Sequence, residues 1–590
     1  MTAFAYRPLW VALGALTVFA HLALIFHGLV PNLISRPLHM ALLLPWVFVL
    51  PAKTRAGAVT GLGIAAAGIA GCVWVAWNHQ ALANQYGFLE GDAQVAVAVM
   101  LLVVAMEGAR RMIGWPLPLV ALTTLAYGLF GQYIPGQFGH AGTPLASFLG
   151  TLTITEGGLW SSLTGVSVGV VSIFVIFGAV LNSGEAGQGF MNVASAAAGR
   201  LRGGAAKVSV LSSALFGSIS GSASANVAST GAITLPAMTR LGYPRRLAGA
   251  VEAVASSGGQ IMPPLMGAGA FVMVELTGVP YTEIVLAALL PAVLYFFTVW
   301  VGIDAFAVRL GLQGLPEDER PARRDVLVTS AFFLVPFSAL LLAMFALGYT
   351  PQYSAALAIL LGFLALYFDG RRGFAPLQGL DRTAETMLNS GRQIAMIGSI
   401  ILCASIVIGV LGITGLGVKL TSAIIAGSGG EVWPTLLLTA LACLILGMEV
   451  PTTAAYVICV SVAGPALTGL GIEPLQAHLF VFWFALLSTI TPPVCGAVFI
   501  AAGMVGEDWL KVALTAMALG VGLYLIPLGM IANPELIALR TEPLLAVLTA
   551  IQIGIALALL SFALIARGRW LARGGALTLG AAILFARALL

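Results

Sequence analysis

The sequence predicts an all-α polytopic membrane protein with two inverted repeats, each containing a re-entrant hairpin and a broken helix. Three observations support this prediction. Of the 590 residues, 59% are hydrophobic and 8% are charged, whereas soluble domains carry about 25% charged residues. Apolar runs recur along the whole chain, many of them close to the roughly 20 residues that a helix needs to cross a bilayer. Two polar, glycine-rich segments, related by a fixed offset, interrupt this apolar pattern.

The first polar segment, residues 217–264, breaks the pattern of a membrane helix twice. Hydroxyl, amide and glycine residues crowd positions 217–230, and such a segment persists at membrane depth only where protein buries it or it lines a watery cavity. The second break is Ser256–Gly259 followed by Pro263 and Pro264, where a helix loses its hydrogen-bond ladder. The ends of a broken helix offer N–H groups to an anion and C=O groups to a cation.

The same pattern returns 229 positions later without a gap. LPAMTRLG at 235–242 falls on GPALTGLG at 464–471, and IMPP at 261–264 falls on ITPP at 490–493. A single offset that serves matches over about sixty residues predicts a structural repeat. Basic clusters flank the first hairpin on both sides and are missing around the second. By the positive-inside rule the first hairpin then opens to the cytoplasm and the second to the outside, so the repeats are inverted.

We divide the chain into five parts. They are N-terminal spans (1–135), the first repeat (136–325), connecting spans (326–384), the second repeat (385–532) and C-terminal spans (533–590). Within them we predict spans near 9–30, 38–51, 56–78, 94–109, 116–134, 159–181, 285–303, 326–346, 355–368, 393–411, 512–531, 543–566 and 574–590, with broken helices at 247–270 and 478–503. The charges of the first loops place the N-terminus in the cytoplasm.

Other functional classes find little support in the sequence. The net charge is only +4 and the basic residues mark topology, so no nucleic-acid surface is predicted. No Walker A motif is present, so the energy source is an ion gradient or another protein. The five cysteines lie in apolar sequence without a CxxC motif and are predicted to be buried free thiols. No cofactor is predicted.

The spacing of the histidines and of the isolated carboxylates predicts no metal site and no catalytic site. The six histidines are scattered, and GVSVG at 165–169 lies inside an apolar span, so neither a metal site nor a Ser–His nucleophile is predicted. Glu252 lies shortly after two arginines, and we expect it to pair locally or to snorkel. The same expectation holds for Glu107 and Asp304.

Three longer stretches carry a family resemblance: GSISGSASANVASTGAITLPAM, EAVASSGGQIMPPLMGAGAF and STITPPVCGAVFIAAG. They resemble the large membrane subunit of tripartite ATP-independent periplasmic (TRAP) transporters, within the ion-transporter superfamily. The N-terminal spans resemble the small subunit fused to it, and the layout is similar to the branch with TAXI-type receptors. The resemblance implies a permease of the bacterial inner membrane, not an enzyme. It also implies an elevator-type transport domain on a scaffold, a periplasmic solute-binding protein that delivers an organic acid such as a dicarboxylate, and sodium as the coupling ion.

The resemblance also implies two sodium sites, and hydroxyl and carbonyl oxygens suit such a hard cation. The first would use Ser218, Ser220, Ser222, Asn226, Ser257, Gly258, Gly259 and Met262. The second would use Gly447, Pro451, Thr452, Thr453, Ser488, Thr489 and Thr491. Candidate substrate residues lie at the tips and proline pairs, namely Gly221, Ser224, Glu449, Pro263, Pro264, Pro492 and Pro493.

Several alternatives stay open at this point. The hydroxyl clusters are also what close helix packing needs. Glu449 tunes the cation, carries a proton in a proton-coupled version of the transporter, or simply faces outer water. An intramembrane hydrolase and a passive channel are the remaining functional alternatives.

Overall fold

The computed structural model describes residues 7–52, 54–264, 266–371, 373–447, 452–493, 495–565 and 570–586. Helices dominate this part of the chain, and ten of them are long and apolar enough to cross a membrane. The prediction of an all-α polytopic membrane protein is therefore confirmed.

The helices follow one another in this order. The first fifteen are α1 (Arg7–Phe26), α2 (Asn32–Phe48), α3 (Arg55–Trp77), α4 (His79–Ala83), α5 (Gly91–Ile113), α6 (Pro116–Phe130), α7 (Leu145–Thr153), α8 (Ser162–Val166), α9 (Ser172–Ser183), α10 (Ala186–Ala198), α11 (Gly204–Ser220), α12 (Ala223–Arg240), α13 (Arg245–Gly259), α14 (Gly269–Thr277) and α15 (Tyr281–Leu310). The remainder are α16 (Arg323–Leu341), α17 (Pro351–Leu366), α18 (Pro376–Thr414), α19 (Leu416–Gly427), α20 (Val432–Leu446), α21 (Thr452–Gly469), α22 (Pro474–Leu487), α23 (Gly496–Val505), α24 (Trp509–Leu519), α25 (Val521–Ala532), α26 (Pro543–Ile565) and α27 (Trp570–Phe585).

Shorter elements connect these helices. Two π-helical turns, Ser167–Val171 and Leu342–Ala346, extend α8 and α16. The 3₁₀ turns are Gly131–Tyr133, Gly136–Phe138, Glu317–Glu319 and Pro534–Ile537. The strands Phe368–Asp369 (β1) and Gly373–Phe374 (β2) pair antiparallel.

The chain forms two compact units. Unit 1 runs to Gly184 and takes in Val335–Gly427, whereas unit 2 contains Glu185–Leu334 and the residues from Ser428 onward. Both hairpins and both broken helices belong to unit 2.

Unit 1 is organised around the long helix α18, which packs against α1, α2, α5, α6 and α9. Gly391 and Gly398 let α2 approach closely, because a Cβ at these positions would overlap Trp46 and Leu43. The helix starts well before the predicted span at 393–411. Its charged first turns are stable as a helix because Arg382 pairs with Asp369 at 3.6 Å and donates to the Phe368 carbonyl at 2.6 Å.

Unit 2 contains the interrupted helices at the predicted places. Hairpin 1 consists of α11 and α12, and it turns at Gly221, whose φ of +61° suits glycine. Ser222 then caps α12 by accepting a hydrogen bond from the Ala225 N–H at 3.3 Å. Hairpin 2 consists of α20 and α21.

The element boundaries in unit 2 recur with the offset found in the sequence. Helix α12 runs from Ala223 to Arg240 and α21 from Thr452 to Gly469, so both ends are displaced by 229 positions. The breaks after α13 and α22 contain cis Pro263–Pro264 and cis Pro492–Pro493 at the same offset. The inverted orientation of the repeats stays a prediction.

Candidate ion and substrate site

Two glycine pairs bring the tip of hairpin 1 against the break that follows α13. A Cβ on Gly259 would lie 2.6 Å from the Cα of Gly217, and a Cβ on Gly221 would lie 2.6 Å from the Cα of Gly267. No side chain separates the two segments at these points. The backbone polar groups of the tip therefore lie beside those of the broken helix, as an ion site made of carbonyls requires.

Asn226 ties the arms of hairpin 1 to α13. Its side chain is fully buried, and its amide nitrogen donates to the carbonyls of Ser213 at 3.0 Å and Ser256 at 3.4 Å. Its amide oxygen lies 3.3 Å from the Thr230 hydroxyl. Because a buried amide needs such partners, Asn226 fixes the geometry of the tip.

Gln260 connects the two halves of unit 2. Its amide nitrogen donates to the Gly221 carbonyl at 3.0 Å, and its amide oxygen accepts from the Thr452 hydroxyl at 2.7 Å. One side chain in the first break thus contacts the tip of hairpin 1 and the first residue of α21. Gln260 was not among the residues predicted from the sequence, although a lone amide between the Ser-Gly run and the proline pair is a signal that points to it.

The second break makes a corresponding set of contacts. Ser488 donates to the Gly447 carbonyl at 2.8 Å, which joins this break to the end of α20. The hydroxyls of Thr489 and Ser257 lie 2.9 Å apart, and those of Thr491 and Tyr524 lie 2.7 Å apart. The equivalent tyrosine of the first half, Tyr295, donates to the Val254 carbonyl of α13 at 2.6 Å.

Residues assigned to the two predicted sodium sites contact one another in this structure. Thr452, assigned to the second site, bonds to Gln260 of the first break. Thr489, also assigned to the second site, contacts Ser257 of the first. The polar segments at the two breaks thus contact each other within unit 2.

Other predicted site residues have more local roles. Ser218 donates to the Leu215 carbonyl of its own helix at 2.7 Å, and the Pro264 carbonyl accepts a hydrogen bond from Tyr281. Gly258 lies so close to Tyr295 that a side chain would overlap the ring. Ser224 is exposed, whereas Thr453 is buried. Glu449, Pro451 and the side chain of Ser220 lie outside the described residues.

Glu252 corrects one expectation of the sequence analysis. Its side chain neither pairs with an arginine nor snorkels, but is fully buried in α13. Its carboxylate accepts hydrogen bonds from four hydroxyls, those of Ser209, Thr230, Thr234 and Ser256. Glu107 pairs locally with Arg110 and Arg111, as expected. Asp304 instead pairs with Lys207, 97 positions away in the chain, at 2.7 Å.

In unit 1 a serine and two histidines meet, a contact that their spacing in the sequence did not indicate. Ser167 lies 3.1 Å from His39 Nε2, and His39 Nδ1 lies 2.7 Å from His21 Nε2. His21 Nδ1 donates to the Thr17 carbonyl at 2.7 Å. Because the Thr17 carbonyl can only accept, His21 Nδ1 carries a hydrogen, and in a neutral His21 the other nitrogen accepts from His39 Nδ1. In a neutral His39, Nε2 then accepts a hydrogen bond from the Ser167 hydroxyl. His39 Nδ1 therefore bonds to a neutral histidine, whereas in a nucleophilic triad the corresponding nitrogen bonds to a carboxylate.

Comparisons with known proteins identify related chains. The family model of the DctM component of tripartite ATP-independent periplasmic transporters matches residues 44–545. The C4-dicarboxylate TRAP transporter large permease protein DctM of Pseudomonas aeruginosa is 28% identical over 348 residues, 57% of this chain and 77% of that protein. The isethionate TRAP transporter permease protein DctMQ of Oleidesulfovibrio alaskensis is 24% identical over 448 residues, 71% of this chain and 69% of that protein. The ectoine/5-hydroxyectoine TRAP transporter large permease protein UehC of Ruegeria pomeroyi is 23% identical over 428 residues, 70% and 95% of the two chains.

Proposed function

Because the chain belongs to the family of the DctM component of TRAP transporters, we propose that it is the membrane permease of a cation-coupled secondary importer of organic acids. The observation that carries this proposal is the meeting of both interrupted repeats in unit 2, through Gln260 and Thr452 and through Ser257 and Thr489. The relatives are permeases rather than enzymes, in agreement with the sequence prediction.

Sodium is the proposed coupling ion. The groups that converge at the two tips and breaks are hydroxyl and carbonyl oxygens, such as those of Ser488, Thr489, Gly221 and Gly447. Oxygen donors of this kind suit a small hard cation, which replaces its hydration shell with them. The proposed sodium ligands remain the two sets named from the sequence, with Gln260 positioning the tips between them.

An organic acid is the proposed substrate. The relative from Pseudomonas aeruginosa is named for C4-dicarboxylates and the one from Oleidesulfovibrio alaskensis for isethionate, and both are organic anions. Helix α12 begins at the tip beside Ser222 and directs N–H groups and the positive end of its dipole there. This placement supports an anion site next to the cation sites.

We further propose an elevator mechanism in which unit 2 moves as one body. Its support is that both hairpins and both broken helices belong to this unit. A periplasmic receptor of the TAXI type delivers the substrate, and the chain lies in the bacterial inner membrane with its N-terminus in the cytoplasm. The fused permease among the relatives supports the assignment of the N-terminal spans to a joined small subunit.

Reconstitution tests the proposal directly. Liposomes that contain the chain and its receptor are expected to take up the organic acid only with an inward sodium gradient. Replacing Ser222 or Thr452 with a bulky residue is expected to abolish this sodium dependence, because Ser222 follows Gly221, which contacts the first break, and Thr452 bonds to Gln260 of that break. Uptake that ignores sodium and stops when a proton gradient is collapsed would move the assignment to proton coupling.

A further inference from the structure

A fully buried carboxylate lies within unit 2, surrounded by hydroxyl groups from three helices. Glu252 on α13 accepts from Ser209 of α11 at 2.8 Å and from Ser256 of its own helix at 3.2 Å. Thr230 and Thr234 of α12 donate to its two carboxylate oxygens. The missing side chain of Gly231 leaves room for the carboxylate, since a Cβ there would lie 3.2 Å from Glu252 Cγ.

No cation neutralises this carboxylate among the described residues. The charged and titratable groups on the elements around α13 have other partners or lie at helix ends. Lys207 of α11 pairs with Asp304 of α15, Arg240 of α12 with Glu319, and Lys511 of α24 with Glu507. On α15, Tyr281 and Tyr295 bond to the carbonyls of Pro264 and Val254, Glu283 pairs with Arg540, and Arg309 lies in the last turn. Arg245 and Arg246 begin α13 itself. Helix α23, which also packs on α13, carries no charged residue. An ionised carboxylate without a counter-charge is costly at membrane depth, even with hydroxyl partners.

The hydroxyls around Glu252 can satisfy both of its protonation states. In the ionised state their hydrogens point at the two carboxylate oxygens. The Thr230 hydroxyl also lies 2.8 Å from the Asn226 carbonyl, and the Thr234 hydroxyl lies 3.1 Å from the Thr230 carbonyl. When a proton binds Glu252, the new O–H donates to one hydroxyl oxygen, and that hydroxyl turns its own hydrogen to a backbone carbonyl. Both states therefore pair the carboxyl oxygens and the hydroxyl hydrogens, whose loss of partners would cost free energy.

We propose that the Glu252 carboxyl is the binding site of a coupling proton, separate from the sodium sites at the tips. This inference rests on the proposed function as a cation-coupled permease. The bound proton combines with the carboxylate to form the neutral acid and leaves by the reverse step. Its effect reaches the tip through Thr230, which lies between Glu252 and Asn226, and through Ser256, whose carbonyl Asn226 also binds. Loading of this site therefore changes the hydrogen bonds that hold hairpin 1 to α13.

Infrared difference spectroscopy of the purified chain tests the site without requiring transport. The wild type is expected to show the carbonyl stretch of a protonated carboxylic acid that disappears as the pH is raised. Glu252→Gln is expected to lose this band, and the exposed control Glu275→Gln to keep it. A band that survives in Glu252→Gln, or no such band in the wild type, overturns the proposal. A band that sodium removes at constant pH also overturns it, since sodium would then be the occupant.

A second variant keeps the carboxyl group. Thr234→Val removes one donor to the carboxylate, which disfavours the ionised form, so the midpoint of the band is expected to move to higher pH by on the order of one pH unit. An unchanged or lower midpoint counts against the proposal. In liposomes, Glu252→Gln is expected to lose the dependence of uptake on the proton gradient. If the wild type shows no uptake with any receptor, the proposed transport function is wrong. The infrared band still measures the protonation of Glu252, so the two failures can be told apart.

Discussion

Thr452, the first residue of α21, donates its hydroxyl hydrogen to the side-chain carbonyl of Gln260 across 2.7 Å. The amide nitrogen of the same glutamine holds the Gly221 carbonyl at the tip of hairpin 1. A single planar amide thus fixes the distance between the tip of one hairpin and the start of the helix that leads out of the other. Any ion held by carbonyls at these tips depends on that distance.

A double-mutant cycle measures this connection. Gln260→Leu leaves the Gly221 carbonyl and the Thr452 hydroxyl without this partner, so it is expected to lower the free energy of unfolding in detergent by about 1–3 kcal/mol. Combining it with Thr452→Val is expected to give a coupling free energy on the order of 1 kcal/mol. The control Gln313→Leu changes an exposed glutamine with one weak local bond and is expected to be nearly neutral. Strict additivity of the two site variants would contradict the bridge.

The close approach of hairpin 1 to the first break predicts a steric effect. A methyl group on Gly259 would lie 2.6 Å from the Gly217 Cα and 2.7 Å from the Ser213 carbonyl oxygen, which are backbone atoms that cannot move aside alone. Gly259→Ala is therefore expected to destabilise the chain by about 1–3 kcal/mol and to lower uptake. The matched control is Gly503→Ala on α23, where the added methyl meets open space. Equal thermal unfolding temperatures for both variants would contradict the packing described.

The hairpins and breaks could be predicted from the sequence because their signals are local. Glycine, proline and hydroxyl residues interrupt helices where they cluster. Both breaks lie at the positions where such clusters occur in the sequence. The partners of Gln260 could not be predicted, since they lie 39 and 192 positions away in the chain. Glu252 was misread for the same reason: three of its four hydroxyl donors lie 43, 22 and 18 positions away, beyond the reach of helical spacing.

The hydrogen bonds that join Ser167, His39 and His21 predict a structural role for Ser167, although its motif GVSVG fits the G-x-S-x-G pattern of serine nucleophiles. Ser167→Ala removes one buried hydrogen bond and is expected to lower the free energy of unfolding by about 1 kcal/mol. Because His39 is backed by a neutral His21, Ser167 is expected to stay unlabelled by a serine-reactive fluorophosphonate, detected by mass spectrometry. Labelling of the wild type that disappears in Ser167→Ala would revive an intramembrane hydrolase.

The contact between Ser257 and Thr489 predicts how sodium affinity depends on the two breaks. Their hydroxyl oxygens lie 2.9 Å apart, so an ion bound by one is within reach of the other. Removing one oxygen donor with Thr489→Val is expected to raise the sodium concentration for half-maximal uptake by roughly ten-fold, the equivalent of about 1.4 kcal/mol. Thr489→Ser keeps the hydroxyl and is expected to restore most of the affinity. Thr515→Val on α24, whose hydroxyl bonds only to the Lys511 carbonyl of its own helix, serves as the control. If Thr489→Val shows the same sodium dependence as the wild type, the Thr489 hydroxyl does not hold the ion, and this ligand would have to be removed from the proposed site.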